Sequence, residues 1–450
     1  MLKDKNIQKL NQASRVIDMC FSYKHYMEEI PAMTVGIIYK NEIIFSKGYG
    51  YVDINKTIPA TTNTCFRIAS ISKIFTAISI MQLVESGKIK LDSTISTYLP
   101  WFNSINDPHL NDVTIRHLLT HTSGITRDGD TLHWIENNFP DLNHLKKYIS
   151  NLKLPFIANS RWKYSNLGYS ILGALIEQVS GITYEDYIQI NICQKLGMTL
   201  TSSMLTEEIV NHLAIGYGRK IPNEKRKIFQ NIETKAMAAA TGLSSNVNDL
   251  LKFISAQFIG NTKLLSENSK QELRKIYWIN KKDEIHQAIG LRSFKVGNRK
   301  LFYHSGGFQG YRCNISFDVT RNIGIVILTN MLGIEPRNYT KIAFNVINYI
   351  FKQPFTSNKL DFKKYEGIYR DIWDDSAIMT IGNNLVSFNP SSFEPLSHIT
   401  ILEHIKNNTF LIKGSDEVEN AGELAYFEFD KNQNSKKVRW GATYANILKY

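Results

Sequence analysis

The sequence predicts an α+β protein, an antiparallel sheet flanked by helices with a helical insertion, followed by a small all-β meander or barrel. Three observations carry this. Two apolar runs, 32–39 and 43–51, are separated only by Lys40-Asn41-Glu42 and sit between helical periodicities, the pattern of a β-hairpin between helices. Strand-type runs return at 310–317 and 323–328, just before a closing helical stretch at 337–352. Beyond residue 361 the pattern changes to short alternating segments divided by turn clusters.

Taken in order, residues 6–29 place Leu10, Ala13, Val16, Ile17, Cys20 and Phe21 on one face of an amphipathic helix. After the hairpin, Ile71, Ile74, Phe75, Ile78 and Leu83 recur with the period of a buried helix, and Glu85-Ser86-Gly87 supplies its stop. Residues 114–121 form a short helical stretch whose His117 and His121 share a face. A zinc-protease pattern needs a glutamate after the first histidine, and Leu118 stands there instead, so no metal is implied. Residues 140–260 read as mostly helical, most clearly at 172–179 and 250–258, with Trp162-Lys163-Tyr164-Ser165-Asn166 opening a helix. Strand signals follow at 289–294 and 301–303, and Asp318-Val319-Thr320-Arg321-Asn322 turns the chain between the last two strands.

A polar linker at 353–360 then divides a larger α+β domain, 1–352, from a β-rich domain, 361–450. Within the latter, strands are expected at 377–381, 385–388, 409–412, 424–429, 437–440 and 444–448, with turns at Gly382-Asn383-Asn384 and at 431–434.

A formal charge of +12 invites a nucleic-acid or membrane reading, but the lysines are scattered and no block of five basic residues occurs. Neither partner is therefore expected. Four distant cysteines, Cys20, Cys65, Cys193 and Cys313, outline neither a zinc site nor a disulfide framework and read as small core residues. The first residues hold no apolar signal core and no eighteen-residue apolar run occurs, from which a cytoplasmic protein is expected.

The chemistry gathers at three places. Ser70 and Lys73 lie one helical turn apart, so the amine can reach the hydroxyl. Tyr164 and Asn166 supply a phenol and an amide at a helix start, and His304-Ser305-Gly306-Gly307 follows a strand. In this order and spacing, with the phrases Leu118-Leu119-Thr120-His121-Thr122-Ser123-Gly124 and Thr241-Gly242-Leu243-Ser244-Ser245, residues 15–352 resemble the serine β-lactamase and penicillin-binding-protein superfamily. The likeness is to its class C-like branch, with family VIII esterases, D-amino-acid-specific peptidases and thioesterases; the last domain resembles the lipocalin-like domain appended to several of them.

That resemblance implies a serine hydrolase with an acyl-enzyme at Ser70, acting without a cofactor on a small-molecule or peptide substrate, a peptide amide or an ester. Acyl transfer to an amine, a β-lactamase or DD-peptidase activity, and a catalytically silent binding protein are the alternatives. Ser70, Lys73, Tyr164 and His304 are the implied catalytic residues, and Asn166, Gly306 and Gly307 the implied substrate contacts. Either Lys73 or Tyr164 takes the serine proton, and the backbone amides of Ser70 and Gly307 receive the oxyanion. Many β-lactam-handling relatives carry a lysine at the place of His304. A histidine there is largely neutral near pH 7, which points away from penicillins. The last domain is expected to serve specificity or homo-oligomerisation, and loops 125–160 and 205–235 to shape the pocket.

Overall fold

The structure, a computed structural model, describes residues 5–103, 106–280, 285–353, 362–414, 420–430 and 435–449. Two compact units result: Ile30–Arg337, and the described parts of Met1–Glu29 with Asn338–Tyr450. Apart from Gln353, the linker expected at 353–360 lies outside the described residues, as does the turn at 431–434. The longer helices include α1 (Lys5–Met27), α2 (Ser72–Glu85), α3 (Asn166–Ser180), α4 (Val247–Ser255) and α5 (Pro336–Lys352).

In the unit Ile30–Arg337, eight antiparallel strands form one sheet. They are β1 (Ala32–Tyr39), β2 (Glu42–Gly50), β3 (Trp278–Asn280), β4 (Ile285–Gln287), β5 (Arg292–Val296), β6 (Arg299–Phe308), β7 (Tyr311–Asp318) and β8 (Ile323–Thr329). Their order is β2-β1-β8-β7-β6-β5-β4-β3. The N-terminal hairpin thus joins a C-terminal meander through β1 and β8, with Val35 opposite Ile327. Every residue of β1 and β8 is buried, as a run of apolar residues without alternation requires.

The expected strand at 289–294 is displaced to β5, because Gly290 turns the chain at a φ of +64°. The expected 301–303 is the centre of the ten-residue β6. Strands β3 and β4 were not anticipated; three residues each are too few for a period to register.

The insertion between the sheet's two parts carries α3, α4 and shorter helices. It is less helical than its pattern suggests, since Ser244–Ser245 pairs with Phe66–Arg67 and Gly216–Tyr217 with Ile228–Phe229. Helix α2 is buried on almost every side by Ile74, Phe75, Ala77, Ile78, Ile80, Met81 and Leu83. A helix apolar all round belongs in a core. Phe75 stacks on Phe253 of α4 with centroids 3.8 Å apart.

In the second unit, β9 (Gly367–Arg370), β10 (Asp375–Ile381), β11 (Asn384–Phe388), β12 (Thr400–Lys406), β13 (Thr409–Lys413), β14 (Leu424–Phe429), β15 (Ser435–Trp440) and β16 (Thr443–Ile447) form a closed barrel in sequential order. Pairing of Tyr369 with Ile447 closes it. This is the up-and-down eight-strand arrangement of lipocalin-type barrels. Its interior holds Tyr369, Ile378, Leu385, Leu402, Phe410 and Phe427. Strand β12 escaped the sequence reading because only Leu402 along it is buried, so it lacks apolar alternation. Tyr23 of α1 donates to Asp375 Oδ2 at 2.7 Å, and Arg15 pairs with Glu366 at 2.6 Å, tying α1 to the barrel. No helix among the described residues is long and apolar enough to cross a membrane.

Candidate active site

Ser70 is presented by a sharp entry into α2. The backbone of Ala69 has a φ of +51°, a conformation that costs a residue with a Cβ, and a single 3₁₀ turn over Ala69–Ile71 then runs into the helix. Ser72 holds this turn: its Oγ donates to Ala69 O at 2.6 Å and accepts from Leu243 N–H at 3.0 Å. Ser70 itself remains half-buried, facing a cavity of about 420 Å³.

Lys73, one turn on, is fully buried. Its Nζ donates to Ser70 Oγ at 3.3 Å, to Asn166 Oδ1 at 2.7 Å and to the Ala240 carbonyl at 2.7 Å. Three acceptors match the three N–H bonds of an ammonium. Burial pushes the Lys73 amine down, and Tyr164 and Asp128 act against that. Tyr164 Oη lies closer to the serine, donating to Ser70 Oγ at 2.8 Å. Burial, the largest influence, pushes the phenol up. Lys73, its hydrogen bonds and Arg292 together outweigh burial and bring it below the ordinary phenol range.

Tyr164 reaches this position because α3 starts beside it. Ser165 caps the helix, its Oγ accepting from Gly168 N–H at 2.8 Å, while Ser165 N–H donates to His121 Nδ1 at 3.1 Å. The His121 ring packs 4.4 Å from the Tyr164 ring. Burial, then Lys73 and Arg292, hold this histidine far below its usual range, so it is neutral. His117 serves the short helix Ile115–Leu119, its Nδ1 accepting from Thr114 N–H at 3.2 Å. Both histidines of the 114–121 stretch are thus spent on backbone.

Asn166 lines the cavity, but its amide is already engaged. Oδ1 accepts from Lys73, and Nδ2 donates to Asp128 Oδ1 at 2.6 Å. Each end of the amide keeps a further hydrogen-bonding position, so these contacts leave the expected substrate contact open.

Strand β6 passes the serine turn edge-on. A Cβ on Gly306 would stand 2.1 Å from the Ile68 carbonyl, so only glycine permits the approach. Gly306 is buried by this contact and lies beneath the cavity, where a substrate contact was expected; Gly307, next along, lines the cavity with Ser70. His304 also lines it, 3% exposed, with Nδ1 donating to the Ser305 carbonyl at 2.8 Å. Burial, Arg292 and Lys73 hold its imidazole neutral.

The remaining lining was not anticipated residue by residue: Arg127, Trp134, Trp162, Thr241, Arg292, Ser305 and Arg312. Arg292 on β5 lies 5.3 Å from the Tyr164 ring and 5.2 Å from that of Trp162, and Arg127 lies 5.9 Å from the Tyr164 ring. Arg312 on β7 stands opposite Gly307. Trp162 and Thr241 sat inside phrases already singled out, and Arg127 follows one by three residues. Nothing local marks Arg292 or Arg312; only strand pairing brings them in. Of the two loops expected to shape the cavity, 125–160 contributes Arg127 and Trp134, and 205–235 contributes none of its lining.

Set against known proteins, residues 22–344 match the Beta-lactamase family model. Protein flp of Staphylococcus aureus (strain N315) is 28% identical over 323 residues, covering 71% of this chain. The chain spans 64% of that relative's length. Penicillin-binding protein 4* of Bacillus subtilis (strain 168) is 28% identical over 333 residues, 70% of this chain and 71% of that one. The structure of the octameric penicillin-binding protein homologue from Pyrococcus abyssi superimposes with a TM-score of 0.64 at 23% identity. It covers 95% of this chain and 98% of that chain, a likeness of fold.

Proposed function

The chain belongs to the beta-lactamase family, and on that premise we propose that it is a serine hydrolase acting through an acyl-enzyme at Ser70. The observation that carries this reading is the contact of Ser70 Oγ with both Tyr164 Oη, at 2.8 Å, and Lys73 Nζ, at 3.3 Å. A serine hydroxyl needs an adjacent base, and two groups with depressed pKa values stand within reach.

Of the two, Tyr164 takes the proton. Lys73 is surrounded by three acceptors and so favours the ammonium form, while the phenol is flanked by Lys73, Arg292 and Arg127, which favour phenolate. Ser70 Oγ attacks the acyl carbon as its proton passes to Tyr164. The carbonyl oxygen takes up the charge against the N–H groups of Ser70 and Gly307, a stabilisation of about 3 kcal/mol per donor. Tyr164 returns the proton to the leaving nitrogen or oxygen as the scissile bond breaks. Water then repeats the sequence on the ester and frees Ser70.

The substrate we favour is a peptide amide, including one with D-residues, or an ester, bearing an anionic group. Arg127, Arg292 and Arg312 line the cavity; Arg127 lies 3.2 Å from the Asp128 carboxylate and Arg312 3.9 Å from that of Glu335. These arginines supply the permanent cation that a neutral His304 does not. The barrel, whose residues are absent from the described lining, is read as a specificity or self-association element; the Pyrococcus abyssi homologue is octameric.

Hydrolysis of paired L- and D-peptide, ester and β-lactam substrates tests the proposal, with Ser70→Ala as control. Turnover of an anionic peptide or ester that is abolished by Ser70→Ala supports it. Absence of turnover across the panel, or a Ser70→Ala protein of full activity, contradicts it.

A further inference from the structure

Behind Asn166 lies a carboxylate that the reaction does not itself require. Asp128 Oδ1 accepts from Asn166 Nδ2 at 2.6 Å, and Oδ2 lies 3.2 Å from Arg127 Nε. Its other charged or titratable neighbours include His133, whose Nε2 is 4.0 Å away, and Lys73, whose ammonium form its charge favours. The His133 ring is fully buried and held neutral by burial, against the pull of Asp128, with Nδ1 at 2.6 Å from Thr131 Oγ1. Asp128 is 22% exposed, so its charge is only partly screened.

The polarity of this chain has one consistent solution. An ionised carboxylate only accepts, so the amide of Asn166 must turn its NH₂ to Asp128 and its carbonyl to Lys73. A carbonyl only accepts, so Lys73 must donate to it, as it also does to Ala240 O. Were the amide reversed, its NH₂ would face the lysine, and the ammonium would lose an acceptor in a buried site where an unmet charge is costly.

We propose that Asp128 is a positioning residue that locks the amide of Asn166 and thereby keeps Lys73 a hydrogen-bond donor, leaving Tyr164 as the proton acceptor for Ser70. The inference rests on Ser70 being the nucleophile. Among the described contacts Asp128 hydrogen-bonds neither Ser70 nor Tyr164; it acts on the site through Asn166, beside a direct electrostatic pull on Lys73.

The test is the rate at which a fluorophosphonate labels Ser70, followed by intact mass across pH, in the wild-type chain, Asp128→Asn, Asn166→Ala and the double variant. Asp128→Asn keeps shape but lets the amide reverse. It is expected to slow labelling by about tenfold to a hundredfold at neutral pH. Its acidic limb is expected to move to higher pH, because a weakened Lys73 ammonium no longer favours phenolate. In the Asn166→Ala background only the direct electrostatic pull on Lys73 is left to lose, and the same change is expected to alter the rate several-fold less than in the wild-type background.

A labelling rate and acidic limb in Asp128→Asn equal to wild type, a limb moved to lower pH, or a full effect persisting without Asn166 overturns the proposal. Should Asp128→Asn fail to fold, Asp128→Ser, which also removes the carboxylate, gives the same comparison. Failure of the wild type to label at Ser70 would instead strike the acyl-enzyme reading, so the two failures are distinct.

Discussion

Arg312 Nη1 lies 2.7 Å from the point at which a Cβ on Gly307 would stand, so the guanidinium occupies the space that the absent side chain leaves beside β6. Gly307→Ala therefore displaces the far end of a flexible side chain and leaves backbone in place. Unfolding free energy is expected to change by less than about 1 kcal/mol. KM for an anionic ester is expected to rise about tenfold or more, and KM for its neutral analogue to change little. Arg312→Gln is expected to reproduce that selectivity. Steady-state kinetics on the matched pair check it, and an equal loss on both esters contradicts it.

The depressed phenol of Tyr164 sets a pH dependence. With phenolate as the proposed reactive form, acylation is expected to gain rate as pH rises through the folded pKa and to lose it below. The midpoint of that limb in kcat/KM is expected below about pH 10, the ordinary phenol value. Tyr164→Phe is expected to abolish the limb with the rate. A limb that persists in Tyr164→Phe would assign it to Lys73.

His121 and His304 are buried and neutral, with folded pKa values well below the unfolded value near 6.5. Below that pH the unfolded chain binds protons that the folded chain refuses. Their contribution to stability is thus fully present above about pH 6.5 and is lost as pH falls. Denaturant midpoints are expected to drop between pH 7.5 and 5.5, and to drop less in His304→Gln. An unchanged slope in that variant counts against the assignment.

Phe75 and Phe253 stack at 3.8 Å between α2 and α4, and both are fully buried. Phe253→Ala is expected to cost about 3–5 kcal/mol in equilibrium unfolding. Because α2 carries Ser70 at its entry, activity at temperatures well below unfolding is expected to fall as well. A loss under about 1 kcal/mol would mean that the core collapses around the gap.

How much of this was legible depends on range. The hairpin 32–51, α2 and the helix opened by Tyr164-Ser165-Asn166 follow from local period and capping, and the structure has all three. The outward-looking β12 and the three-residue β3 and β4 carry no such period. In the site, Ser70, Tyr164 and His304 line one cavity, with the buried Lys73 bonded to Ser70, and each was legible because it sits in a phrase whose residue types are unusual together. Arg292 and Arg312 are single arginines on strands, brought in by the register of β5 to β7, which no local pattern encodes. Asn166 illustrates the other limit: its type suggests a substrate contact, and only the fold reveals its bonds to Lys73 and Asp128.

The central claim is that Ser70 is the nucleophile, and covalent capture tests it most directly. Incubation of the folded chain with an activated fluorophosphonate, followed by intact mass and peptide mapping, is expected to place one adduct on Ser70, none on Ser70→Ala and a slowly formed one on Tyr164→Phe. A folded wild-type protein that takes no adduct, or takes it at another residue, would contradict the account.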